Sequence, residues 1–338
     1  RHYIIIDAPG HKEFLKNMIS GAARAEAAVL IIDAGEGIQE QSKRHGYMLS
    51  LLGIKQIAVV VNKMDLAEYD EKVFTAIETE FRSFLRELNM EPRWFIPVSA
   101  RNGDNVAQRS RLMPWYQGPT VLESLSTFMK LPDRTGLPFR FPVQDVYKFD
   151  DRRIIAGRVE AGELRVGDTL VFSPSNKSAL VRTIEGFNVA YPQLSVSAGR
   201  STGITLDEQI FVERGEIASL RESPPEVSDC FRANIFWMGK SPLCMGRKYL
   251  LRIATREVEM ELEAIIGIID ASTLGHVEAK DRIERNDVAE VVLRTKKPVA
   301  FDLYADIDVT GRFVIIDGCD TNTATIAMGY AEGITMRF

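Results

Sequence analysis

The chain has 338 residues, of which 45% are hydrophobic and 26% charged, proportions that are ordinary for a soluble globular protein. Its length predicts two or three domains. No apolar run could span a bilayer, no signal peptide is visible, and a net charge of −5 argues against a broad electrostatic grip on nucleic acid. Its three cysteines have no metal-ligand spacing and cannot all pair, which favours reduced thiols in a cytoplasmic protein.

The chain opens with the sequence RHYIIIDAPGH. The apolar run Tyr3–Ile6 predicts a buried strand, and Asp7 stands at its end. The next three residues, Ala8, Pro9 and Gly10, predict a turn, and His11 comes just before a helical stretch. In such a turn the Asp can hold a Mg²⁺-bound water, the Gly N–H can approach a terminal phosphate and the His can orient an attacking water. A plain strand-to-helix turn is the alternative.

The position of this strand leads to a further expectation. A parallel α/β domain rarely begins at the edge of a core strand with nothing before it. We therefore expect the numbered chain to lack an N-terminal segment.

Strands and helices alternate over the first 129 residues. The expected helices cover residues 13–26, 39–52, 71–89 and 119–129, and the expected strands cover 27–33, 56–61 and 94–98. Asp70 is the predicted N-cap of the third helix, and Gly53 ends the second. This alternation predicts a doubly wound parallel sheet with its ligand site at the carboxyl ends of the strands.

The pattern changes after residue 130. Prolines and glycines mark a linker, and short strands separated by glycines follow it, as in a small antiparallel β-barrel. A second break contains Pro224-Pro225, and a further β-rich region runs to the end. Expected strands cover 153–159, 169–173, 179–187, 210–212, 231–238, 248–254, 258–269, 287–295 and 312–317. The predicted domains are a partial nucleotide-binding α/β domain at 1–131 and two barrels at 138–222 and 228–338.

The tetrapeptide Asn62-Lys63-Met64-Asp65 directly follows a continuously apolar strand. The carboxylate of Asp65 can accept two N–H bonds, from N1 and the exocyclic amine of guanine, a donor pair that adenine lacks. The Asn62 side chain can meet the base edge, and the Lys63 stem can lie along the ring face. A polar turn at the end of a strand is the alternative.

Ser99-Ala100 follows the next strand, and its backbone N–H groups could face the guanine O6. Taken alone, this pair favours no function over an ordinary turn.

The order of these motifs resembles that of translational GTPases. Asp7-x-x-Gly10-His11, Asn62-Lys63-x-Asp65 and Ser99-Ala100 each follow a separate predicted strand, and two barrels come after them. The whole chain resembles the elongation factor Tu superfamily. This resemblance implies an α/β P-loop-type GTPase domain with a parallel sheet, followed by two antiparallel β-barrels.

Longer strings resemble one subfamily, the large GTPase subunits of heterodimeric bacterial sulfate adenylyltransferases (ATP sulfurylases). These strings are MPWYQGPTVLESL (113–125), RFPVQDVYKF (140–149), GITLDEQIFVERGE (203–216), FWMGKSPLCMGRKYLL (236–251) and AFDLYADIDVTGRFVIID (300–317). The resemblance implies GTP hydrolysis coupled to the synthesis of adenosine 5′-phosphosulfate from ATP and sulfate by a small catalytic partner subunit. Some members are fused to an adenylyl-sulfate kinase. A translation factor that delivers aminoacyl-tRNA is the alternative.

The resemblance also implies the roles of the site residues. Asp7 would hold Mg²⁺ through water, Gly10 would sense the γ-phosphate and His11 would position the hydrolytic water, with Ala8 and Pro9 beside them. The residues that would contact the guanine base of GTP or GDP are Asn62, Lys63, Met64, Asp65, Ser99 and Ala100.

One departure from the family is large. The 338 residues contain no G-x-x-x-x-G-K-[ST] loop, whose backbone amides and Lys cradle the phosphates. We therefore expect this chain by itself to bind nucleotide weakly or not at all. Submicromolar GDP binding by the 338 residues would contradict this expectation.

Overall fold

The computed structural model describes residues 2–7, 25–130, 133–149, 152–186, 193–239, 241–269, 276–277, 281–285, 287–317 and 326–334. These residues form two compact units, one containing the described residues up to 130 and the other those from 133 onward. Among the described residues, every helix is too short or too polar to cross a lipid bilayer.

The first unit contains a parallel sheet with strand order β1-β2-β3. The strands are β1 (Ala28–Asp33), β2 (Ile57–Asn62) and β3 (Trp94–Pro97). The helices are α1 (Glu40–Leu51), α2 (Glu71–Glu87) and α3 (Val121–Thr127). This alternation confirms the predicted α/β class, and the polar residues that follow the strands lie at one edge of the sheet.

Local sequence explains why these elements form. Residues 57–61 of β2 are all buried, as expected for a strand covered on both faces. Helix α2 buries one face, made of Phe74, Ile77, Phe81, Phe84 and Leu85. The predicted N-cap is confirmed, since the Asp70 carboxylate accepts a 2.8 Å hydrogen bond from the Lys72 N–H.

The expected strand at Tyr3–Ile6 is wrong. Residues 2–7 are irregular, and Ile4 and Ile5 are 93% and 84% exposed. The only hydrogen bond that anchors this segment to the described residues runs from the Tyr3 hydroxyl to the carbonyl of Leu125, at 3.2 Å. A strand needs a paired neighbour, and none of the described strands lies beside this segment. The helix expected at 13–26 is absent at Ala25 and Glu26, and its other residues lie outside the described part of the chain.

The second unit begins with a closed barrel whose strand order is β10-β5-β4-β11-β7-β8. The strands in this part of the chain are β4 (Phe141–Phe149), β5 (Arg152–Arg158), β6 (Glu163–Arg165), β7 (Thr169–Ser173), β8 (Lys177–Glu185), β9 (Ser195–Ser197), β10 (Ser201–Leu206) and β11 (Ile217–Leu220). The expected strand at 210–212 is wrong. Val212 packs into the barrel core, but the backbone there pairs with no described strand. The prediction rested on the apolar side chains, of which that of Val212 is buried here without strand pairing.

The second barrel follows in the same unit. Its strands are β12 (Glu226–Phe236), β13 (Leu243–Cys244), β14 (Lys248–Ile253), β15 (Arg256–Ile269), β16 (His276–Val277), β17 (Arg282–Ile283), β18 (Val288–Phe301), β19 (Arg312–Ile316) and β20 (Ile326–Ile334), with a short helix α4 (Asp308–Gly311). The sheet order is β14-β19-β20-β12-β18-β15-β16, and pairing of β14 with β15 closes the ring. Trp237 is fully buried in its core.

A buried ion pair joins the two barrels. Arg140, just before β4, donates three hydrogen bonds of 2.7–3.0 Å to the carboxylate of Asp302, just after β18. The Thr310 hydroxyl donates a fourth, at 2.5 Å. Arg140 and Asp302 are only 3% and 6% exposed, so this contact fixes one barrel against the other.

Candidate functional site

The loop after β2 is held at the carboxyl edge of the first sheet. Met64 is fully buried, and its N–H donates a 3.1 Å hydrogen bond to the carbonyl of Val98, just after β3. Lys63 has a φ of +63°, so the backbone reverses immediately after the strand. This arrangement turns the side chains of Lys63 and Asp65 away from the buried strand and leaves both at least partly accessible.

The carboxylate of Asp65 is oriented by one hydrogen bond. The Ser99 hydroxyl donates to its Oδ1 at 2.7 Å, and Ser99 itself is fully buried. Among the described residues, Oδ2 of Asp65 accepts no hydrogen bond. The side chain is therefore fixed in direction yet keeps an oxygen available to a ligand.

Asn62 is tied to the same neighbouring loop. Its Oδ1 accepts a 3.0 Å hydrogen bond from the N–H of Ala100. The structure thus brings together two predicted groups separated by more than thirty residues, Asn62 with Asp65 and Ser99 with Ala100. Their side chains and backbone form one continuous polar edge.

The backbone N–H groups at Ser99 and Ala100 differ from expectation in one respect. We expected them to face the guanine O6, but the Ser99 N–H donates to the carbonyl of Asp104 at 3.3 Å and the Ala100 N–H donates to Asn62. In this structure both groups stabilise the loop.

A buried amide holds the rest of that loop. Asn105 is 2% exposed and has a φ of +56°. Its Nδ2 donates to the carbonyl of Pro97 at 2.9 Å, and its Oδ1 accepts from the N–H of Ser110 at 2.8 Å. The loop that carries Ser99 is therefore anchored to the end of β3 and is positioned before any ligand arrives.

Sequence reasoning missed one charged residue at this edge. Asp33 ends β1, and its Oδ2 lies 2.5 Å from the Nζ of Lys63. Burial by itself raises the pKa of Asp33, but Lys63 and the N–H groups of Gly35 and Glu36 lower this pKa overall. The ion pair raises the pKa of Lys63. The signal available in the sequence was a polar residue at the end of an apolar strand of the predicted parallel sheet.

The phosphate-side residues are described only in part. Asp7 is exposed, and Ala8, Pro9, Gly10 and His11 lie outside the described residues. Their roles remain predictions.

Known proteins resemble this chain over its whole length. Residues 1–136 match the elongation factor Tu GTP binding domain, and residues 230–332 match the GTP-eEF1A C-terminal domain-like family. Sulfate adenylyltransferase subunit 1 of Shewanella oneidensis is 37% identical over 333 residues, a match that covers 97% of this chain and 68% of that protein. The corresponding protein of Aeromonas salmonicida is 36% identical, with 100% and 71% covered. The chain belongs to the sulfate adenylyltransferase subunit 1 family.

Two further comparisons extend this family relationship. The bifunctional enzyme NodQ of Rhizobium tropici is 37% identical over 98% of this chain, which spans 52% of the NodQ length. Among solved structures, sup35 complexed with GDP has a TM-score of 0.55 and 25% identity, covering 94% of this chain and 80% of that one. The structure of sup35 complexed with GMPPNP matches with the same score. An elongation factor Tu-like GTPase domain followed by barrels is therefore the fold of this family member.

Proposed function

We propose that this chain is the GTPase subunit of a sulfate adenylyltransferase, coupling GTP hydrolysis to the synthesis of adenosine 5′-phosphosulfate from ATP and sulfate. The observation that carries the proposal is the polar edge formed by Asn62, Asp65, Ser99 and Ala100, within a chain of this family. Formation of a phosphate–sulfate anhydride is uphill, so the reaction needs a second source of free energy.

The guanine base would lie against this polar edge. Asp65 accepts the N1 and exocyclic N–H groups through its available carboxylate oxygen and through Oδ1, whose second lone pair remains. Adenine cannot supply both donors, so the site discriminates against ATP. Discrimination matters here, because ATP is the substrate of the partner subunit and GTP drives the coupling.

The phosphates would lie near the turn that the sequence predicts at residues 7–11. Asp7 is exposed, so its carboxylate oxygens are accessible to the water molecules of a hydrated metal ion. Mg²⁺, when bound, neutralises charge on the phosphate oxygens and would be held there by Asp7 through water. Gly10 would approach the γ-phosphate and His11 would orient the attacking water, with Ala8 and Pro9 shaping the turn.

The partners follow from the reaction. We propose a small catalytic subunit that activates sulfate with ATP, in a heterodimer or larger assembly in the cytoplasm, serving sulfate assimilation and cysteine biosynthesis. We further propose that an adenylyl-sulfate kinase is fused to this protein, because the NodQ relatives are bifunctional enzymes. We also propose domain boundaries at 1–131, 138–222 and 228–338.

The test uses the full-length protein purified under native conditions. We expect a stoichiometric small subunit to copurify, and pyrophosphate release to require ATP, sulfate and GTP together. Replacing GTP with a non-hydrolysable analogue is the matched control and should abolish sustained release. Copurifying tRNA, with GTP-dependent protection of its aminoacyl ester and no sulfate-dependent reaction, would overturn the proposal in favour of a translation factor.

A further inference from the structure

Asp33 lies where the first two strands of the parallel sheet end side by side. It is the last residue of β1, and its register partner is Asn62, the last residue of β2. Adjacent strands lie about 4.8 Å apart. A side chain that starts just after β2 can therefore reach the end of β1.

The Asp33 carboxylate is held by its own loop. Its Oδ1 accepts hydrogen bonds from the N–H groups of Gly35, at 2.8 Å, and Glu36, at 3.3 Å. Its Oδ2 faces Lys63 Nζ at 2.5 Å. The Asp33 side chain is 19% exposed and that of Lys63 is 53% exposed, so the acid is the sheltered anchor and the lysine is the accessible partner.

Lys63 is thereby fixed at both ends. Its backbone follows β2 and precedes Met64, whose N–H is bonded to Val98. Its ammonium is held at the end of β1 by Asp33. The four methylene groups of the Lys63 side chain connect these two points.

We propose that Asp33 is a positioning residue for guanine nucleotides, holding the Lys63 stem as the surface on which the purine ring rests. The inference rests on the proposed function. Asn62 and Asp65 read the edge of the base, whereas Lys63 contacts its face, so Asp33 acts on affinity for every purine that Asp65 accepts.

The physical gain is preorganisation. A free lysine side chain samples many rotamers, and ordering it on ligand binding costs conformational entropy. Because the ion pair with Asp33 already restricts the Lys63 side chain in the unbound protein, less of this entropy is lost when the nucleotide binds. A lysine–carboxylate pair whose lysine is mostly exposed contributes little to folding. An effect of Asp33 on nucleotide affinity without an effect on stability therefore distinguishes positioning from scaffolding.

The test compares Asp33→Asn with wild type in the full-length protein by nucleotide titration. We expect GDP and IDP affinities to fall by the same factor, about fivefold. Without the ion pair, the Lys63 side chain would lose part of its conformational entropy on binding the nucleotide. The matched control is Glu91→Gln, which breaks the exposed pairs with Arg82 and Arg86 in the same unit and should leave both affinities unchanged.

A double-mutant cycle separates positioning from local damage. In a Lys63→Met background, which keeps most of the apolar stem, Asp33→Asn should have no further effect on GDP affinity. A full additional loss there, or unchanged or tighter GDP binding by Asp33→Asn alone, would overturn the inference. Failure of the wild type to bind any guanine nucleotide would overturn the proposed function itself.

Discussion

Two aspartates in this chain show how differently a carboxylate can be used. Asp302, between the barrels, accepts three hydrogen bonds from Arg140 and one from Thr310 and is almost fully buried. Asp65, at the edge of the parallel sheet, accepts one hydrogen bond from Ser99 and is half-buried. The first carboxylate has its hydrogen-bonding capacity filled by the protein, and the second keeps capacity for a ligand.

This difference separates a carboxylate that stabilises the fold from one that remains able to bind a ligand. A buried charge is tolerated only when its partners are complete, so Asp302 serves the packing of the barrels. The carboxylate that we propose for base recognition, Asp65, is oriented by a single buried hydroxyl and can still accept further hydrogen bonds. Four substitutions, given in order of decreasing effect, can break or sharpen this contrast.

Asp302→Ala should have the largest effect. It leaves the Arg140 guanidinium buried without its carboxylate, and we expect the barrel unit to lose about 3–5 kcal/mol of unfolding free energy. Denaturant unfolding, followed by the fluorescence of the buried Trp237, measures the loss. The double variant Arg140→Met with Asp302→Leu is the control and should recover most of it. A loss below about 1 kcal/mol, as measured for solvent-exposed ion pairs, would contradict the burial of the Arg140–Asp302 pair.

Asp65→Asn should leave folding intact and change base selectivity. GDP affinity should fall about 100-fold, because hydrogen bonds to a charged acceptor contribute about 1.5–3 kcal/mol each. XDP should bind better than it does to wild type, since the amide N–H₂ can donate to the oxygen that xanthine carries at C2. Competition titrations with GDP, XDP and ADP measure the switch. Equal weakening of all three would argue against edge recognition by Asp65.

Ser99→Ala should reduce GDP affinity about fivefold, the equivalent of one ordinary hydrogen bond of about 1 kcal/mol. The substitution frees the Asp65 carboxylate to rotate. Ser110→Ala is the matched control, because it removes a hydroxyl bonded to another carboxylate, Asp104, in the same loop. The comparison is a nucleotide titration of both variants. Equal effects of the two would show that loop order matters more than the direction of Asp65.

Glu160→Gln tests a third kind of carboxylate, which is half-buried and whose nearest cation, the Arg158 Nε, is 3.9 Å away. Burial raises the pKa of Glu160 above its usual 4.5, with opposing contributions from Arg158 and Arg134. The folded protein then holds this proton more readily than the unfolded chain. Stability should therefore fall as pH rises from 4.5 through the raised pKa, and Glu160→Gln should remove that slope. Unfolding midpoints across this range measure it, and an unchanged slope would exclude Glu160 as its source.

Much of the fold was predictable because its signals are local. Helix α2 combines an N-cap at Asp70 with a five-residue buried face, and β2 is continuously apolar. The strand predicted at Tyr3–Ile6 failed for the opposite reason. Its residues have every local property of a strand, but pairing depends on a neighbour that no local property reveals.

The candidate site likewise contains residues that the sequence could predict and a contact that it could not. Asn62, Lys63 and Asp65 were recognisable from their chemistry and spacing after a strand. The contact between Asp33 and Lys63 was not recognisable, because it depends on which strand ends beside β2.

The sequence by itself determined the family, the alternation of elements and the identities of the residues that could read a guanine base, since these follow from motifs and periodicity along the chain. Only the tertiary structure decided that Ser99 directs Asp65, that Asp33 holds Lys63 and that Arg140 is neutralised by Asp302. Each of these pairs joins residues at least thirty positions apart. Hydrogen bonds and ion pairs act over a few ångströms, so chain folding alone settles which distant groups meet.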